Sequence, residues 1–208
     1  MPCKIDLQII TTNAMEGTGF KIFLEQNRPE YSVSLMVLPM KGSLEDIKLS
    51  KIKENTVIFL DTDSFENESL LCFLKTIKFS HNFKCILHSK LTTPGLLIKA
   101  RELFVDGYIT KSSSISCILN CLDVIKLGGT YCDISFYDLF KSVMIFENDL
   151  SLTERKLLHE VLLFNNRTIK DLAEILNISK HTVEVHLSNL YKKAQVCSFN
   201  GLIEKFSL

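Results

Sequence analysis

The sequence predicts two domains of different class: an α/β domain on an open, five-stranded parallel sheet over residues 1–130, and an all-α four-helix domain over residues 150–208. A helical linker across residues 131–149 is expected to join them. Three observations carry this. Short apolar runs alternate with helical periodicities through the first part, the pattern of a doubly wound sheet. The last part holds only helical periodicities, several with a capping residue in front. Charge divides the same way: residues 151–208 carry eight basic and six acidic side chains, and the rest of the chain 16 and 18.

Five runs read as strands: Lys4–Ile10, Tyr31–Leu38, Thr56–Leu60, Phe83–His88 and Val105–Thr110. The middle ones are short and continuously apolar, as strands buried on both faces should be. Helical spacing falls between them. Phe20, Phe23 and Leu24 mark a first helix, and Leu44, Ile47 and Ile52 a second. Leu70, Leu71, Leu74 and Ile77 mark a third; Leu96, Leu97, Ala100 and Leu103 a fourth, opened by Thr93-Pro94 as cap and first residue. Ile115, Ile118, Leu119, Leu122 and Ile125 mark a fifth, stopped by Gly128-Gly129. Phe136–Phe146 is an amphipathic stretch that is either a linker helix or part of a dimer surface, and Asn148-Asp149 ends it.

Composition narrows the class. With 46% hydrophobic and 23% charged residues over 208, the chain is neither a disordered tail nor a low-complexity or collagen-like repeat. No apolar run approaches the ~18 residues that cross a bilayer. The start, MPCKIDLQII, lacks a basic segment followed by a long apolar core, so no secretory signal and a cytoplasmic location are expected. Seven cysteines occur without a CxxC pair or a zinc-like Cys/His spacing, although Cys117 and Cys121 can share a helix face. They read as small apolar residues in a reducing compartment, and no metal is expected. There is no GxGxxG, no GxxxxGK[ST] and no GxSxG, so neither a phosphate-cradling loop nor a nucleophile elbow is present. No catalytic residues and no cofactor are expected. His88, inside an apolar run, reads as a satisfied core residue.

Open parallel sheets place their sites at the carboxyl ends of the strands. Those ends read Thr11-Thr12-Asn13, Asp61-Thr62-Asp63, Ser89-Lys90 and Thr110-Lys111. The set resembles the receiver domain of bacterial response regulators, a flavodoxin-like fold. The resemblance implies Asp61 in VIFLDTDSF as the possible phosphoacceptor, with Ser89, Lys111 and the aromatic Tyr108 in GYITK as further pocket residues. It departs in two places. The acidic pair that holds Mg2+ in the family is here Thr11-Thr12, and the Met-Pro after the phosphoacceptor is absent. Mg2+ favours hard anionic oxygens, which hydroxyls do not supply, although Asp63 could compensate in part. Asp61 is therefore either a working phosphoacceptor or a strand-end acid left on a receiver-like scaffold, and the domain is read as a degenerate receiver.

In the last part, Ser151-Leu152-Thr153-Glu154 fits a capping box, followed by the apolar face Leu157, Leu158, Val161 and Leu162. Asn165-Asn166 can end that helix. Thr168 can cap the next, with Ile169, Leu172, Ala173 and Leu176 at i, i+3, i+4, i+7. The turn Asn177-Ile178-Ser179 leads into a third helix capped by Ser179, and a last helix carries Phe199, Leu202, Ile203 and Phe206. Two short helices across a three-residue turn form a helix-turn-helix pattern. On the third helix Val183, Leu187, Leu190 and Ala194 make a core face, and His181, Glu184, Val185, Ser188 and Lys192 an outward stripe suited to base edges in a major groove. Lys180, Lys192 and Lys193 lie where they could meet phosphates.

The segments LSLTERKLL, TIKDLAEIL and NISKHTVEVHLSNLYKKAQV resemble the LuxR-type helix-turn-helix of the NarL/FixJ response regulators. The resemblance implies a recognition helix over Thr182–Lys193, double-stranded promoter DNA as partner, and a dimer on DNA. Candidate DNA-contacting residues are Lys180, His181, Thr182, Glu184, Val185, Ser188, Asn189, Lys192 and Lys193. Glu184 stands where the family usually has a basic residue, and either specifies a base or restrains affinity. The expected function is transcription regulation in a two-component setting, with an atypical, phosphorylation-independent receiver used for homodimerisation or for docking a related regulator. The alternatives are a regulator phosphorylated on Asp61, or a co-regulator acting through a heterodimer with little DNA binding of its own.

Overall fold

The computed structural model describes residues 4–39, 47, 52–80, 83–90, 94–164 and 167–206. Two compact units emerge, Met1–Leu91 with Ala100–Asp133 and Thr92–Lys99 with Ile134–Leu208. The first unit contains a parallel sheet of β1 Ile5–Thr11, β2 Tyr31–Val37, β3 Val57–Asp61, β4 Lys84–Ser89, β5 Gly107–Thr110 and β6 Tyr131–Cys132. The strand order is β2-β1-β3-β4-β5-β6. Register puts Leu7 beside both Val33 and Val57, so β1 is an inner strand, and Leu7, Ile9 and Ile10 along it are buried. The sheet is the receiver-like α/β fold expected, extended by one strand. Tyr131 and Cys132 pair with Gly107 and Tyr108, and two residues are too few to leave a periodicity in sequence.

Helices α1 Ala14–Asn27, α2 Asn67–Ser80, α3 Pro94–Glu102 and α4 Ile115–Lys126 occur where helical spacing was read. The helix expected around Leu44 falls outside the described residues, apart from Ile47 and Ile52, which are buried. Strand alternation sorts the core. Leu7, Ile9, Val57, Phe59, Ile86 and Ile109 cluster with Leu24 of α1 and Ile118, Cys121, Leu122 and Ile125 of α4. Ile58 and Leu60 point to the opposite face, since side chains alternate along a strand. Two polar links tie α1's end to α4: Arg28 bonds Asp123 at 2.6 Å, and the Tyr31 hydroxyl donates to the Leu122 carbonyl at 3.1 Å. Burial pushes the Tyr31 phenol up to about 12, so it stays a donor. Gly128 ends α4 at φ +84°, a conformation a Cβ disfavours.

The second unit contains α5 Ile134–Glu147, α6 Leu152–Leu163, α7 Ile169–Leu176, α8 Lys180–Ala194 and α9 Phe199–Lys205. Its core gathers Leu157, Leu158, Val161 and Leu162 of α6, Leu172 of α7, Val183, Leu187 and Leu190 of α8, and Leu202 and Phe206. The starts of α6 and α7 are written in sequence. Ser151 and Glu154 form a reciprocal capping box, and Thr168 and Asp171 form a second. Asn177 closes α7 in the left-handed region at φ 53°, which Asn tolerates better than most residues. Asn165-Asn166 lie outside the described residues. Among the described cysteines only Cys85 and Cys121 are buried, while Cys72, Cys132 and Cys197 are exposed, so the reading of cysteines as core residues holds for two. Among the described residues no helix is long and apolar enough to cross a membrane.

Candidate functional site

Two places on the chain carry candidate residues, one in each unit. In the first, Asp61 ends β3, almost fully buried, and its carboxylate is held from three sides. Lys111 lies 2.8 Å from Oδ1, the Thr11 hydroxyl donates to Oδ2 at 2.8 Å, and the Asp63 backbone N–H donates to Oδ1 at 3.3 Å. Lys111 also meets Glu16 at 3.1 Å and Asp63 at 3.4 Å, so one ammonium is shared by three carboxylates. Burial pulls the Lys111 pKa down, but the hydrogen bonds and charges of Asp61 and Glu16 outweigh it, and the net shift is upward. The Ser89 hydroxyl donates to Asp63 at 2.6 Å, and the Lys90 N–H donates to the same carboxylate at 2.8 Å.

The structure thus brings Asp61, Thr11, Ser89 and Lys111 together at the strand ends. Thr12 follows Thr11 at the same strand end. Tyr108 is placed differently: it is buried on β5 with Cys132, Cys85, Asp106 and Arg101 as its electrostatic neighbours, and burial drives its phenol pKa up. Glu16 was missed in sequence. Asn13 caps α1 by accepting from the Glu16 N–H at 3.2 Å, which fixes the first turn over the strand ends. A metal tests poorly against this set. The Thr11 hydroxyl donates to Asp61, and the nearby acids converge on an ammonium. Among the described residues no three acidic, His or Cys side chains are arranged to hold a metal ion.

In the second unit α8 presents the predicted faces. Val183, Leu190 and Ala194 are fully buried and Leu187 nearly so, while His181, Glu184, Val185, Ser188 and Lys192 are exposed. Ser179 caps the helix by accepting from the Thr182 N–H at 3.1 Å, and the Ser179 and Thr182 hydroxyls lie 2.8 Å apart. The helix therefore begins at Lys180, two residues before the start implied by resemblance, and ends at Gln195 in the left-handed region. His181 and Glu184 approach to 3.9 Å along the outward stripe, both well exposed. Lys180 is exposed, and Asn189 half-buried. Lys193 has other partners: its ammonium donates to the Glu154 carboxylate at 2.8 Å and to the Asp149 carbonyl at 2.9 Å. A phosphate contact by Lys193 would have to use its third N–H or give up one of these bonds. Glu154 is itself buried; desolvation raises its pKa, but the bonds from Lys193 and from Ser151 pull it net below the usual carboxylate range. A single acidic residue thus caps α6 and braces the far end of α8, a second role that its place in a capping box did not announce.

Known proteins fit both halves. The family described as "Bacterial regulatory proteins, luxR family" matches residues 148–205, the stretch that holds α6 to α9. The transcriptional regulatory protein MctR of Rhizobium johnstonii is 33% identical over 97 residues, 47% of this chain; that match spans 45% of MctR, less than half its length. The response regulatory protein YgeK of Escherichia coli K12 is 33% identical over 107 residues, 51% of this chain and 73% of YgeK. Among solved structures, RcsB of Salmonella enterica serovar Typhimurium, bound to promoter P1flhDC in the presence of a phosphomimetic, superposes with a TM-score of 0.66 at 17% identity, covering 98% of each chain, a likeness of fold. With a receiver-like sheet in front and a luxR-family helical unit behind, the chain belongs to the bacterial response regulators.

Proposed function

We propose that this protein is a DNA-binding transcriptional regulator that reads a promoter with α8, and whose receiver-like unit works without phosphorylation as a surface for dimerisation or for docking a related regulator. The observation that carries the reading is the exposed stripe on α8, which combines donors, acceptors and one apolar side chain on a helix that is well capped at its leading end. Major-groove edges offer a matching group, the methyl of thymine, for Val185. Lys180 and Lys192 flank the stripe as phosphate contacts, which position a protein on the duplex without reading sequence. Relatives named as transcriptional and response regulators, and RcsB bound to a promoter, support it.

Gel shifts with genomic fragments at two salt concentrations test it. Lys192→Ala is expected to weaken binding uniformly across sequences and to flatten the log K against log salt slope by about one. Glu184→Lys is expected to tighten binding to every fragment and steepen that slope, with the preferred sequence unchanged, because Glu184 repels phosphates. A base-reading Glu184 would instead lose preference at one position on Glu184→Ala, worth roughly 1–3 kcal/mol. If both variants bind every fragment as the parent does, α8 is not the reading head.

Phosphorylation independence rests on Lys111 and its three acids. In this arrangement Thr11 and Thr12 add no negative charge, and the acids nearby are engaged by Lys111. A phosphoryl group arriving at Asp61 would meet the carboxylates of Glu16 and Asp63, with Lys111 the cation that faces them. After incubation with acetyl phosphate and Mg2+, intact mass spectrometry is expected to show the unmodified chain. A stoichiometric adduct that disappears in Asp61→Asn would establish the alternative, a phosphorylated regulator.

A further inference from the structure

Beside the Lys111 cluster, and not needed by the reading above, a cavity of about 490 Å³ opens between α1, α4 and the sheet. Small-molecule sites commonly fall in the range of about 300–1,000 Å³, with apolar walls and a few polar groups at one end. This cavity has that division. Phe20, Phe23, Phe59, Ile9 and Ile118 form the walls, and Asp61, Glu16 and Lys111 stand together at one end. Phe20 packs on Phe59 at 4.5 Å and on His88 at 6.0 Å, and with Phe59 fully buried behind it, the half-buried rings of Phe20 and Phe23, stacked at 6.3 Å, present the aromatic face. Burial, with the neighbouring Lys111 charge, pulls the His88 pKa down to about 4, so at neutral pH this ring contributes no positive charge. Met15 and Ile115 line the same cavity and are 85% and 58% exposed, an apolar rim facing solvent.

Charge selects the occupant. Among the lining groups Asp61 and Glu16 bring two negative charges to the polar end and Lys111 one positive, a net excess of one negative charge, and Asp63 stands 3.4 Å from the same ammonium. Aromatic faces add to this preference, since their quadrupoles favour cations. The geometry points to a binding site for an amphipathic organic cation, a flat apolar body with a protonated amine or amidine. The body lies against Phe20 and Phe23, and the charged end meets Glu16 beside Asp61. A carboxylate-bearing molecule of the same shape is repelled.

Gly19 gives a clean way to close the site. It lines the cavity, and a Cβ added there meets no atom within 4 Å, so a side chain is accommodated and Gly19→Leu is expected to narrow the space. The probes are tryptamine, indole and indole-3-acetate, matched in shape and differing in charge. Binding is read as perturbed amide signals in the full-length protein by two-dimensional NMR, with thermal shift as a second readout. Expected is a dose-dependent tryptamine effect centred on Phe20, His88 and Ile115, at least tenfold stronger than with indole-3-acetate, and lost in Gly19→Leu. Glu16→Gln is expected to narrow the gap between the two probes. Equal response to the cation and the anion, perturbations elsewhere on the chain, retention in Gly19→Leu, or no response at millimolar probe would each overturn the proposal. None of these results bears on the gel shifts, so this site and the DNA interface stand or fall separately.

Discussion

Lys111→Met is expected to destabilise the receiver-like unit by about 3 kcal/mol or more, the scale for removing one partner of a buried ion pair. Lys111 and Asp61 have side chains 9% and 7% exposed, so water replaces the lost partner only in part. Removing the ammonium leaves Asp61 facing Asp63 and Glu16 with no cation among them. The double variant Lys111→Met with Asp61→Asn is expected to recover much of the loss, because the buried charge goes with its partner and the Thr11 hydroxyl keeps an oxygen to bond. Urea unfolding followed by circular dichroism measures both, and a loss under 1 kcal/mol for the single variant would mean that the pair adds little. The Lys111 shift is upward, so its contribution is complete below the unfolded lysine value and fades only in strongly alkaline solution, as pH rises through the folded pKa.

His88 predicts the opposite dependence. Its pKa falls from 6.5 to about 4, chiefly because the ring is desolvated between Phe20 and Phe59. Between those values the unfolded chain takes up a proton that the folded chain refuses. Stability therefore rises with pH across this window and is lost as pH falls from about 6.5 towards 4. The full shift corresponds to about 3 kcal/mol. Unfolding midpoints at pH 7.5, 6 and 4.5 are expected to decline more steeply in the parent than in His88→Phe, which removes the titrating ring and keeps its shape. Parallel declines would show that His88 does not govern this acid sensitivity.

What could be read in sequence was mostly what is encoded within one turn or one strand. Ser151 with Glu154, Thr168 and Ser179 announced helix starts because a cap needs only its own next three residues. Strand ends placed Asp61 and Lys111 on the same edge because parallel strands align their carboxyl ends. The faces of α8 followed from spacing alone. Relations across the fold were not legible. Nothing near Glu16 says that its carboxylate meets Lys111, 95 residues away. Glu154 looked complete as a cap, yet its second bond to Lys193 spans 39 residues. Tyr108 was assigned by motif, and the direction of its side chain is set by β4 and β6 packing, which a four-residue strand does not reveal. The sixth strand exists only because β5 offers it an edge.

The order of strands in the sheet also sets a timetable. β1 is flanked by β2 and by β3, and Leu7 cannot meet Val57 until 49 intervening residues have been drawn into a loop. Parallel pairing of this kind pays its closure entropy before any contact rewards it, and such topologies fold in milliseconds to seconds. Helices α6 to α9 draw their contacts from near neighbours along the chain, a pattern that folds in microseconds to milliseconds. Refolding from urea should therefore show two rates, and the slow one belongs to the sheet. Until that slow phase ends, the Val57–Leu60 run is an apolar strand with open edges, the segment through which newly made chains would stick to one another.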